Sequence, residues 1–203
     1  MPRSTLRCAL LSAGALCLTA SATPAVADAA PQIGVNSKRL NIPSGGRAAV
    51  KGKVAAPGVV KLQIQRGKRW VTIDRDRTTA SGRYVLRGRV KTPASTRARV
   101  KAGKHTRIVG RLNVYRKALA SWYGPGLFGN KLGCGGRLTT GSIGVANKHL
   151  PCGTKVTLRH RGRVMRVRVI DRGPYVGGRE YDLTAATARR LGFSGHGPIQ
   201  ATR

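Results

Sequence analysis

Between residues 31 and 117 the apolar side chains recur at every second position and never at helical spacing. Val60, Leu62 and Ile64 share one parity, as do Val71 with Ile73 and Tyr84 with Leu86. A period of two lays such residues along one face of an extended strand, which excludes a helical bundle for this stretch. The alternating runs fall at 38–42, 48–54, 59–65, 70–74, 83–89, 96–101 and 106–115. Turn residues stand between them, at Ser44-Gly45-Gly46, Ala56-Pro57-Gly58, Gly67-Lys68 and Ser81-Gly82. Seven short strands at this spacing predict a small antiparallel sandwich of immunoglobulin-like plan over residues 31–117. Aromatic residues make up only 4% of the chain, so its core is expected to be Val, Ile, Leu and Ala.

The first 27 residues read as an export leader, with Arg3 and Arg7 ahead of an apolar stretch at 9–20 and small residues at Ala25-Val26-Ala27. Cleavage after Ala27 removes Cys8 and Cys17. That leaves Cys134 and Cys152, which in an oxidising compartment are expected to form one disulfide. Two Cys and scattered His lack zinc-ligand spacing, so no metal is expected. No apolar run reaches the ~20 residues of a membrane span, so no stable membrane insertion is expected.

Lys and Arg number 39 against 6 acids, a formal charge of +33. Residues 31–117 hold 23 of those bases and only two acids, Asp74 and Asp76, for a net +21. In a cytosolic chain such charge points first to nucleic acid. Spread along an exported chain, it points instead to acidic wall polymers, with no nucleic-acid partner. Asp74 and Asp76, two apart, are expected to balance neighbouring Arg charges. No set of catalytic spacing is visible in this half, which reads as a binding or spacer module.

From Ala118 the texture changes and Gly becomes dense. Strands are predicted at 155–159 and 163–170, joined by a turn at His160-Arg161-Gly162. One helix is predicted at 184–191, with Thr184 as N-cap and Gly192 just past its end. The motifs SWYGPG at 121–126, VANKHLPCGTKV at 145–156, VIDRGPYVGGREYDLT at 169–184 and RLGF at 190–193 stand here in order. Together they resemble the rare lipoprotein A (RlpA)-like family, over residues 119–203. The resemblance implies a six-stranded double-psi β-barrel with one short helix, related to expansin and barwin barrels. The whole chain is then all-β: sandwich, then barrel.

The same resemblance implies peptidoglycan glycan strands as partner, a secreted or cell-wall location and no cofactor. Several members are lytic transglycosylases, which break the bond between N-acetylmuramic acid and N-acetylglucosamine without water and leave a 1,6-anhydro ring. Such members carry a His in a stretch like AHKTLPFGT and an Asp in NDRGP. Asp171 matches that Asp. Asn147 stands at the His position, with His149 two residues on. Glycosidic cleavage needs an acid for the leaving oxygen and a base for the attacking hydroxyl. Asp171 is therefore the candidate general acid, and it equally suits the turn at Gly173-Pro174.

Asp182, eleven residues on, has the spacing of the paired Asp of expansin barrels, and it also precedes the predicted helix, where a carboxylate favours the dipole. The expansin likeness implicates Ser121 as well. Trp122, Tyr123 and Tyr175 are candidate sugar platforms, flat rings with polar tips or edges. Arg172 is a candidate for holding acidic groups of the substrate. Asn can orient a group but cannot shuttle a proton at neutral pH. The alternative function is thus a non-catalytic, expansin-like glycan binder that loosens the wall. His149 rescues the catalytic reading if 147–149 is extended, because both side chains then face the same way.

Overall fold

The computed structural model describes residues 33–203; the expected leader and its two cysteines lie outside the described residues. The alternating runs become β1 (Gly34–Arg39), β2 (Asn41–Pro43), β3 (Arg47–Lys53), β4 (Val59–Arg66), β5 (Arg69–Arg77), β6 (Arg83–Arg89), β7 (Ala94–Ala102) and β8 (His105–Tyr123). Sheet β1-β3-β6 is antiparallel and faces a second sheet containing β5-β4-β7-β8. Between them lies a core that includes Val50, Val60, Leu62, Leu86, Val100 and Leu112, all essentially inaccessible to solvent. The result is the expected sandwich.

One expected strand divides in two. The run at 38–42 breaks at Leu40: β1 pairs with β3 in one sheet, while β2 runs parallel to β8 in the other. A strand that changes sheets must turn its buried face through the core. Leu40 and Ile42 are both buried, and together they carry the alternation across the break, so the pattern alone does not reveal it.

After β8 come β9 (Val145–Ala146), β10 (Lys155–His160), β11 (Arg163–Asp171), β12 (Tyr181–Thr184), α1 (Ala185–Leu191) and β13 (Gly197–Ala201). The order β12-β9-β11-β10-β13-β8 closes on itself through a parallel β12–β8 pairing, which makes a six-stranded barrel without an open edge. Its core includes Val145, Val156, Leu158, Val169, Tyr181, Leu183 and Leu191. Helix α1 is capped as its sequence predicts. The Thr184 hydroxyl accepts from the Thr187 amide, and Gly192 ends the helix at a left-handed φ of 67°.

Strand β8 belongs to both halves. Residues 105–114 pair with β7, and residues 116–120 pair with β13. Its side chains enter the first core at Val109, Leu112 and Val114 and the second at Ala118 and Ala120.

Candidate functional site

The barrel's outer wall carries a row of side chains fixed by strand register. Tyr181 and Leu183 point into the core, so Asp182 between them points out. On β8, Ala118 and Ala120 point in, so Ser121 and Tyr123 share the opposite face. Ser121 pairs with Asp182, Asp182 with Ala146, and Ala146 with Asp171 across β8, β12, β9 and β11. The two carboxylate residues are therefore two strand spacings apart, about 9.5 Å along the hydrogen-bond direction. Ala146, itself buried, is the residue between them in the register.

Each member is held differently. Asp171 Oδ1 accepts from the amides of Gly133, at 2.7 Å, and Arg172, at 2.8 Å. Its Oδ2 has no partner among the described residues. Asp182 Oδ1 accepts from the Ser121 hydroxyl at 2.8 Å. Burial raises the Asp182 pKa above the ordinary carboxylate value; the Ser121 bond and Arg179 pull it down, and the negative charge of Asp171 pushes it up again.

Tyr123 completes the site. Its hydroxyl is buried, and no atom meets it in hydrogen-bonding geometry. Burial first, then the charge of Asp171, hydrogen bonding toward that carboxylate and the charge of Asp182 hold its pKa far above the usual 10. Asp171 lies close enough to act on it by charge and as an acceptor, though short of full hydrogen-bond geometry.

The other expected site residues are placed as follows. Asn147 is buried and fully committed: its Nδ2 donates to the Glu180 carbonyl, and its Oδ1 accepts from the amides of His149 and Leu150. It folds the 148–150 bend, so 147–149 is not extended. His149 is exposed on that bend and makes no side-chain hydrogen bond. The Arg172 guanidinium donates to the carbonyls of Asn147 and Leu150, at 2.8 and 2.7 Å, and to Cys152 Sγ. It braces the loop beside Asp171.

Trp122, on the other face of β8 from Tyr123, lines a separate apolar cavity of about 370 Å³ with Phe128, Ala188 and Phe193. Tyr175 is 81% exposed, on the loop that follows Asp171. Cys134 and Cys152 are joined by a disulfide, which links the loop whose Gly133 amide holds Asp171 to the loop that Arg172 braces. Among the described residues no three His, Cys, Asp or Glu side chains gather as metal ligands.

Sequence reasoning missed two contributors. The Gly133 amide does chemistry through the backbone, which no side-chain motif records. Its only trace is the glycine itself, where an added Cβ would come within 2.8 Å of Arg172. Ala146 contributes by its place, and only the register reveals what it separates.

Residues 116–202 match the family model described as lytic transglycolase. A probable endolytic peptidoglycan transglycosylase RlpA of Synechocystis is 43% identical over 81 residues, covering 39% of this chain and 25% of the relative. The Aquifex aeolicus protein of the same description is 40% identical over 87 residues, covering 42% and 38%. The endolytic peptidoglycan transglycosylase RlpA of Campylobacter jejuni is 40% identical over 86 residues, covering 40% and 31%. The matched segment thus spans between a quarter and two fifths of these relatives' length.

Proposed function

We propose that the protein, whose residues 116–202 match the lytic transglycolase family model, is an exported cell-wall enzyme that cleaves peptidoglycan glycan strands by lytic transglycosylation. The observation that carries this reading is the outward row Asp171, Ala146, Asp182 and Ser121, with the unpartnered Tyr123 hydroxyl beside both carboxylates. Asp171 protonates the glycosidic oxygen through its free Oδ2 as the C1–O bond breaks. The muramyl C6 hydroxyl attacks C1 and returns its proton to the carboxylate. No water enters, and the product is the 1,6-anhydro sugar. The Tyr123 hydroxyl, buried beside both carboxylates, steadies the Asp171 carboxyl. Asp182 accepts from Ser121 in the same row, and Tyr175 offers a stacking face at the rim.

Incubating the protein with purified sacculi and weighing the soluble products tests this. Anhydro-muramyl ends are expected with wild type and are expected to vanish with Asp171→Asn. A second reading, the non-catalytic wall-loosening binder, is favoured by Asn147, whose side chain is spent on the bend while His149 stands outside the carboxylate row. Loosened sacculi with no new chain ends would support it.

A further inference from the structure

Where the barrel meets the sandwich lies a cavity of about 540 Å³, away from the carboxylate row and lined in part by Arg66, Arg97, Arg111 and Arg203. Arg166 of β11 reaches its rim, donating to Ser95 Oγ at 2.6 Å, and Arg111 Nε donates to the same oxygen at 3.2 Å. Arg97 and Arg111 are direct cross-strand partners in β7 and β8. Like charges placed opposite one another on a sheet destabilise it. The crowding extends to Arg166, whose pKa is lowered by burial and by the charges of Arg111 and Arg203.

Among the described residues no carboxylate pairs with these charges. The one ion pair among the described residues is Arg116 with Glu180. Among the described residues the guanidiniums of Arg66, Arg97 and Arg203 have no acceptor, which leaves their donors to face the cavity. Five guanidiniums approach from β4, β7, β8, β11 and residue 203. A carboxylate accepts mainly in its own plane, whereas a phosphate group accepts from many directions. Donors this numerous exceed the two unbridged oxygens of one phosphodiester and suit successive phosphates of a chain.

We propose that this interdomain cleft binds the backbone of a phosphodiester polymer, independently of whether the barrel cleaves glycan. Sandwich and barrel both supply guanidiniums, so one polymer chain engages both halves at once.

The test is equilibrium binding of an oligo(glycerol phosphate) to the full chain at 50 and 150 mM NaCl. Arg97→Gln, whose guanidinium has no bond to lose among the described residues, and Arg166→Gln are each expected to weaken binding about tenfold. Lys51→Gln and Arg83→Gln, exposed on the opposite sheet, remove the same charge and are expected to change it less than twofold. Thermal melts confirm that each variant is folded. Equal losses across all four variants would overturn the site in favour of diffuse surface charge. Equal affinity for poly-glutamate of matched charge would overturn the phosphate assignment. Capture by phosphatidylglycerol vesicles that outcompetes the oligomer, and is lost with Arg97→Gln and Arg166→Gln, would overturn the polymer in favour of a lipid headgroup.

Discussion

At the scale of single residues, stability and chemistry pull against each other around Tyr123. An unmet buried hydroxyl costs about 1–3 kcal/mol, so Tyr123→Phe should raise the unfolding free energy by about 1 kcal/mol in chemical denaturation. If the hydroxyl steadies the Asp171 carboxyl for catalysis, the same change should lower release of anhydro ends from sacculi about tenfold. Asp182 gives the pH-dependent counterpart. Its pKa is raised in the folded state, so the folded carboxyl binds its proton more tightly than the unfolded one. Its charged form therefore opposes folding above that raised value, and the penalty fades as pH falls through it towards the unfolded value near 3.9. Asp182→Asn should melt at a higher temperature than wild type at pH 7, and the gap should close as pH falls towards 4. Asp171→Asn should remove ~10²–10⁴-fold of turnover, the usual worth of a positioned proton donor, while glycan binding persists.

At the scale of elements, carboxylates serve strands as well as chemistry. Asp76 Oδ2 accepts from the Val85 amide, and Asp74 Oδ2 accepts from the Arg87 amide. Strand β6 pairs with β3 on one side only, so these two residues of β5 cap its open edge from the facing sheet. The sequence suggested charge balance with Arg, because side-chain composition cannot show which backbone edge is left unpaired. Asp74→Ala should accelerate amide exchange at Arg87 and cost about 1–2 kcal/mol. The disulfide works on loops in the same manner. Replacing Cys134 and Cys152 by Ser should cost about 3 kcal/mol for a closed loop of this length and lower turnover even where the protein stays folded, because the Gly133 amide loses its tether. The sandwich and the 155–159 and 163–170 strands were legible because each repeats a period long enough to count, and α1 because Thr184 and Gly192 mark its two ends. Strand β9 has two residues and β12 four, too few to set a period, yet their register is what brings Asp171 and Asp182 into one row. The motifs named those aspartates; their common row across Ala146 needed the fold.

At the scale of the whole molecule, the charge and the shared strand set the behaviour. With +21 of the +33 on residues 31–117, retention on intact walls should fall steeply as salt rises past the ~8 Å screening length of physiological buffer. A fragment beginning at Arg116 keeps every pairing of β8 with β12 and β13, so it should hold the barrel's circular dichroism while binding walls more weakly. Starting it four residues later, at Ala120, would strip most of the β13 ladder and should leave the fragment unfolded. Because β8 runs unbroken from one core into the other, there is no slack hinge between them. If the sandwich is anchored to one wall polymer and the barrel grips another, growth of the wall pulls along the length of β8. The hydrogen bonds to β7, β13 and β12 lie crosswise to that pull and must be sheared together rather than opened one by one. The protein would then carry load between polymers like a rivet, and a tensioned glycan strand would be presented to Asp171 already straightened.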